Sequence, residues 1–195
     1  IPHFHPCEIQ GEILVAGMNP AEASISTMAR TAAHLFQNVE TQLFTDRVED
    51  EVMLPLELGP EELFEPLDEL VDVELRRFGL ELVRRQRIAT LSAGFQQRTA
   101  LASMHLARRS VLLLDEPLAF LDRPSARALL DCVQELCRRG LTVIIAEHRE
   151  DMLESFADRV VRFGQAPGEL SFLRNRSVRD GASGRPLLEA EGIVH

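Results

Sequence analysis

The stretch Val111-Leu112-Leu113-Leu114-Asp115-Glu116-Pro117 decides how this chain folds. Four branched apolar residues in a row suit a strand covered on both faces, as the strands of parallel sheets are. The run then breaks into two carboxylates and a proline, which cannot donate to a strand ladder and so ends it. Open α/β sheets place their ligands at the carboxyl ends of strands. An acidic pair there can hold a magnesium ion through one carboxylate and orient a water through the other. A strand can also simply end in solvated acids, so the rest of the sequence has to decide between the two readings.

Outward from this strand the pattern repeats. Pro124 opens a helix with apolar residues at Ala126, Leu129, Leu130, Val133, Leu136 and Cys137, and Gly140 ends it. Leu141-Thr142-Val143-Ile144-Ile145-Ala146 reads as a second continuous buried strand, closed by Glu147-His148. A short helix over residues 150–156 and a strand at Arg159-Val160-Val161-Arg162-Phe163 follow. Strand, helix, strand, helix, strand predicts right-handed crossovers and one parallel sheet. Upstream, residues 11–17 read as a short strand between glycines. Residues 21–30 read as a short helix led by Pro20, and Ala32 to Phe36 as an apolar segment leading into Gln37. Residues 48–109 have a helical texture, with Ser92 placed as the N-cap of the last segment. From Gly164 onward the chain is rich in Gly, Pro, Ser and Arg and reads as a linker or docking segment.

Composition narrows the function classes. With 195 residues and 45% hydrophobic content the chain can bury one sizeable core. A net charge of -10 argues against nucleic acid as a partner held by phosphate neutralisation. No apolar run approaches the ~18 residues that read as a membrane span. Cys7, Cys132 and Cys137 are too irregular for a disulfide framework or zinc site, and His3, His5 and Cys7 lack a fourth ligand nearby. All 21 basic residues are arginine, so a phosphate loop of the form G-x-x-x-x-G-K-[ST] is not encoded here.

Four motifs occur in a fixed order. Gln37 follows a strand, Leu91-Ser92-Ala93-Gly94-Phe95-Gln96-Gln97-Arg98 opens a helix, Asp115-Glu116 ends a strand, and His148 ends the next. Over residues 8–163 this order resembles the ATPase subunit of an ATP-binding-cassette (ABC) transporter. The resemblance implies an α/β, P-loop-NTPase-like parallel sheet flanked by helices, with an inserted helical subdomain at about 46–108. The cassette, lacking its lysine-loop portion, would span residues 1–165, and residues 166–195 would form a tail or linker. It implies ATP and Mg2+ as ligands. Asp115 resembles the residue that supports magnesium, partly through water. Glu116 resembles the general base, and His148 the switch histidine at the γ-phosphate. Gln37 resembles the glutamine that reaches the metal and the attacking water. Ser92 and Gly94, at a helix start whose free amides suit an anion, resemble the signature that contacts nucleotide on the opposite domain. Asp122, equally an ordinary helix N-cap, resembles the acidic end of the loop crossing the dimer interface. Ala93 and Phe95 depart from the family pattern Leu-Ser-Gly-Gly-Gln: one adds a methyl near phosphate, the other loses an amide.

The residues around Gln37, together with Ile1-Pro2-His3-Phe4 and Ile145-Ala146-Glu147-His148-Arg149, resemble the energy-coupling-factor group of vitamin and metal-ion importers. That resemblance implies a second ABC ATPase domain, a transmembrane coupling protein and a substrate-capture membrane subunit as partners. The location implied is the cytoplasmic face of the membrane. The expectation is an ATPase powering solute import, with the 195-residue stretch inactive alone for want of the lysine loop. Two other readings stay open: a scaffold that has lost catalysis, and an ABC ATPase not coupled to transport.

Overall fold

The structure, a computed structural model, describes residues 12–58, 66–153, 156–163, 170–174 and 188–191. Its elements are β1 (Glu12–Val15), α1 (Ile25–Thr31), β2 (Ala32–Leu35), α2 (Val48–Glu57), α3 (Leu67–Arg77), α4 (Ala93–Leu106), β3 (Val111–Asp115), α5 (Arg123–Arg138), β4 (Thr142–Ala146), α6 (Glu150–Leu153), β5 (Arg159–Phe163), β6 (Leu170–Arg174) and β7 (Leu188–Glu191). The chain divides into two compact units, residues 32–149 and residues 1–31 with 150–195.

The 32–149 unit carries a parallel sheet in the order β2-β3-β4. Leu35 lies opposite Leu114, and Asp115 opposite Ala146. β3 is the central strand, and Val111, Leu112 and Leu114 are buried, as its unbroken apolar run requires. Between β2 and β3 the chain inserts α2, α3 and α4. α4 packs against both α2 and α5. Its buried residues, from Gly94 through Gln96, Gln97 and Thr99 to Ala102, therefore do not confine themselves to a single stripe. The Gln96 amide is buried by donating to the Ile88 carbonyl at 3.1 Å. α3 is tied to α4 through the buried Glu74 carboxylate, which accepts from Arg77 and lies 2.7 Å from His105 Nδ1.

α5 is amphipathic in the ordinary way. Ala126, Leu129, Leu130, Val133 and Leu136 face inward, and Arg127, Asp131 and Glu135 form exposed ion pairs outside. Cys132 and Cys137 share this helix, and burial pushes the Cys132 thiol up. Gly140 adopts φ +95°, the left-handed turn that lets Leu141 N–H reach back to Leu136 O and send the chain into β4.

In the other unit β1 pairs antiparallel with β7, and β5 antiparallel with β6. The expectation that residues 159–163 extend the parallel sheet is thereby corrected. That strand carries arginine at two of its five positions, and Val161 is exposed. A strand with charged positions suits an antiparallel pair with one wet face, whereas strands buried on both faces run continuously apolar. Part of the segment expected as linker is strand, at β6 and β7. The helix expected over 21–30 begins later, at Ile25, because Asn19 Oδ1 accepts from Ala21 N–H and holds a turn first. Ser24 Oγ then accepts from Thr27 N–H and caps α1. The expected histidine and cysteine positions 3, 5 and 7 lie outside the described residues. No helix among the described residues is long and apolar enough to cross a membrane.

Candidate functional site

β3 and β4 deliver the two groups that the sequence placed at strand ends. Asp115 is the last residue of β3 and its carboxylate is exposed. Glu116 follows in a left-handed backbone, φ +44°, with its N–H donating to Ala146 O at 2.8 Å. A non-glycine residue held there costs about 1–3 kcal/mol and persists only where its surroundings over-determine it. The turn aims the Glu116 carboxylate across the end of the sheet. His148 Nε2 lies 3.0 Å from Glu116 Oε1, and Gln37 Nε2 donates to Glu116 Oε2 at 2.7 Å. Three residues far apart in sequence thus meet at one carboxylate, because their strands are neighbours in the order β2-β3-β4. The His148 side chain is 87% exposed and that of Glu116 29%, so the imidazole stands over the carboxylate with most of its surface open. Each carboxylate oxygen has a second lone pair, which leaves room for a water beside the two protein donors.

Several tethers fix this arrangement. Gln42 folds back on the Gln37 loop, accepting from Phe36 N–H at 2.7 Å and donating to His34 O at 2.7 Å. The Glu51 carboxylate, buried on α2, accepts from Phe44 N–H, Thr45 N–H and Thr45 Oγ at 2.9, 2.8 and 2.9 Å. On the other side Glu147 and Arg149 bond the loop that follows Glu116. None of these four residues carries a local signal that marks it as a tether, since each one bonds backbone displaced in sequence. His34 sits on β2 with its ring edge-on to Phe36 at 4.3 Å; partial burial lowers its ring's basicity, while the Asp115 charge opposes that shift.

Ser92, Gly94 and Asp122 form a second cluster. Among the described residues no hydrogen bond links them to Gln37, Glu116 or His148. Ser92 occupies the N-cap position of α4, but its side chain makes no capping bond; its carbonyl accepts from Phe95 N–H and Gln96 N–H at 2.9 and 3.0 Å. Gly94 sits against the start of α5, where an added methyl would lie 3.3 Å from Ser125 Cβ. Asp122 Oδ1 accepts from Ser125 N–H at 2.9 Å, the ordinary cap of α5, and the Ser125 hydroxyl together with this amide holds its carboxyl below the usual range. Phe95 lies under Arg98, whose guanidinium carbon is 4.4 Å from the ring centre.

The donor set suits a hard divalent cation that keeps most of its water. Asp115 offers an exposed carboxylate. With Nε2 of Gln37 directed at Glu116, the amide oxygen of the same side chain is left free as a ligand. Histidine or cysteine clusters of the kind that hold transition metals are absent among the described residues.

A parallel sheet in the order β2-β3-β4, with helices inserted between β2 and β3, defines an α/β fold. The chain belongs to the ABC transporter family, whose sequence model matches residues 3–119. Relatives named ABC transporter ATP-binding protein include one from Treponema denticola, 35% identical over 165 residues, covering 83% of this chain and 33% of the relative. Another, from Streptomyces coelicolor, is 35% identical over 173 residues, covering 87% of this chain and 30% of the relative. The chain therefore spans about a third of the length of these curated relatives. Among solved structures, cbiO1 from Clostridium perfringens, described as part of the ABC transporter complex cbiONQ, is 26% identical. Its TM-score is 0.64, with 74% of this chain and 60% of that one covered. The ATP-binding cassette MJ0796, solved as a dimer with ADP and Pi, superposes with a TM-score of 0.71 at 20% identity, covering 87% of this chain and 75% of that one. At that identity the likeness speaks to the fold.

Proposed function

We propose that this chain is the catalytic part of an ATPase that drives solute import through an ABC transporter of the energy-coupling-factor type. One observation carries the reading: Gln37 and His148 converge on the two oxygens of Glu116 at 2.7 and 3.0 Å. Glu116, held from both sides, orients a water for attack on a terminal phosphate and takes up its proton. Positioning and charge stabilisation supply most of the catalysis in phosphoryl transfer. A ring N–H of the largely exposed His148 donates to the γ-phosphate as it arrives. Asp115 and the Gln37 amide oxygen hold magnesium, which neutralises charge on the phosphates when bound. Ser92 and the amides around Gly94 serve the nucleotide of a second ATPase domain, with Asp122 at the interface between the two.

The importer type rests on the likeness to cbiO1 and on the surroundings of Gln37. Phe36 and Phe44, on either side of the tethered loop, are exposed, Phe44 by 82%. Large apolar side chains exposed together suit a partner surface, here a transmembrane coupling protein that works with a substrate-capture subunit at the cytoplasmic face of the membrane. The test is magnesium-dependent phosphate release. The full-length protein with its membrane partner turns over ATP. The 195-residue stretch alone, which contains no lysine, has negligible turnover. Measurable turnover by that stretch, or none by the full-length protein, refutes the reading.

A second reading is favoured by Phe95. Its ring is engaged with Arg98 where the family pattern has an amide, which suits a half-site that no longer grips nucleotide. In that case a dimer with a second, intact ATPase domain binds nucleotide weakly at the Phe95 half-site and turns over at the other site only.

A further inference from the structure

The residues flanking His148 make a set of contacts that the proposed chemistry does not use. Glu147 Oε2 accepts from Leu118 N–H at 3.0 Å, while its Oε1 accepts from His148 N–H at 2.9 Å and Arg149 N–H at 3.1 Å. Arg149 Nη1 donates to both Leu118 O and Leu121 O, each at 2.9 Å. Leu118, which receives a bond on each side of its peptide, is fully buried. These bonds stitch the end of β4 to the loop that follows Glu116, whose own N–H is bonded to Ala146 O.

Glu116 stands in a left-handed backbone conformation that a glutamate does not choose by itself. Something must hold the chain on both sides of it. On the amino-terminal side the β3 ladder does so, through the pairing of Asp115 with Ala146. On the carboxyl-terminal side Ala119 N–H donates to Glu116 O at 3.1 Å, and the next hold is Leu118, both of whose polar groups are bonded by Glu147 and Arg149. We propose that Glu147 and Arg149 are positioning residues that fix the Glu116 turn and thereby set the distance between its carboxylate and His148. The kinetic consequence rests on the proposed ATPase function; the structural consequence does not.

Arg149 uses a single nitrogen for both carbonyls. A lysine ammonium, with its donors on one atom, can therefore replace it, whereas an unbranched side chain without donors cannot. In the full-length protein Arg149→Met lowers kcat about tenfold to a hundredfold, the scale of a misplaced catalytic group. KM for magnesium-ATP stays within about threefold, because the lost interaction matters to the chemical step. Arg149→Lys recovers most of the lost kcat. Glu147→Gln, which replaces one accepting oxygen with a donor, lowers kcat in the same way. Hydrogen exchange in the same preparations reads the turn directly: the Leu118 amide exchanges faster in Glu147→Gln, and the amides of α5 do not. Met and Lys variants of equal kcat, or KM and kcat shifting together, overturn the positioning role. Should the wild-type protein hydrolyse no ATP, the functional reading fails, and Leu118 exchange alone then decides the positioning role: unchanged exchange in Glu147→Gln refutes it.

Discussion

Removing the Glu51 carboxylate tests how the Gln37 loop is held. Glu51 is only 3% exposed, yet it is satisfied: one of its oxygens accepts from two backbone amides and the Thr45 hydroxyl. Hydrogen bonds to a charged acceptor are each worth about 1.5–3 kcal/mol, and an amide stranded without a partner costs about 1–3 kcal/mol. The three bonds share one oxygen and cannot be summed in full. Glu51→Ala should therefore cost about 3–5 kcal/mol, a large part of the roughly 5–15 kcal/mol that holds a domain together. Glu51→Gln keeps the volume and an accepting oxygen but loses the charge, and should cost about 1–2 kcal/mol. Urea unfolding with linear extrapolation measures both. The Phe44 and Thr45 amides should lose exchange protection in the alanine variant before those of α5 do. An alanine variant within about 1 kcal/mol of wild type would refute the tether, since one net hydrogen bond alone is worth that much.

Two further expectations concern the sheet end and the start of α4. Partial burial holds the His34 imidazole below its ordinary value against the opposing pull of Asp115, so the unfolded chain binds the proton first as pH falls. Stability from this group is fully present above the ordinary histidine value and declines as pH drops toward the folded one. Ring titration by NMR should find the midpoint depressed, and Asp115→Asn should depress it further; an upward shift in that variant would refute the proximity. At Gly94 an added methyl meets Ser125 Cβ at 3.3 Å and Leu121 Cδ2 at 3.6 Å. Gly94→Leu should cost about 1–3 kcal/mol through overpacking. Gly94→Ala should stay near neutral, because a helix-propensity gain of up to about 1 kcal/mol offsets the squeeze. Equal stability of the leucine variant in urea would count against the packing.

The central sheet is legible because its strands run continuously apolar, although only β3 is largely buried and β4, expected buried, is half-buried. The runs at 111–115 and 142–146 have no polar residue to place on a wet side apart from Thr142 and the terminal Asp115, and they emerge as β3 and β4. β5 misleads: Arg159-Val160-Val161-Arg162-Phe163 looks like one more strand in the series, and only its arginines hint that it belongs to an antiparallel pair. Strand type follows from local composition, but partner choice does not. The candidate site divides the same way. Asp115, Glu116 and His148 are readable because strand ends are readable. Gln37, by spacing an unremarkable exposed glutamine, makes the shortest bond to Glu116. The tethers from Gln42, Glu51, Glu147 and Arg149 leave no periodic trace. Their partners are mostly backbone groups brought close by tertiary structure, and no pattern of side chains along the chain records a backbone donor or acceptor.

The most direct test of the account is Glu116→Gln in the full-length protein. The substitution preserves size but turns one accepting oxygen into an amide donor and removes the charge that accepts a proton. It should lower magnesium-dependent ATP turnover by at least about a hundredfold, the usual worth of a positioned base, while the affinity for ATP is retained. Turnover close to wild type would mean that the carboxylate held between Gln37 and His148 does not activate the attacking water, and the account would fail at its centre.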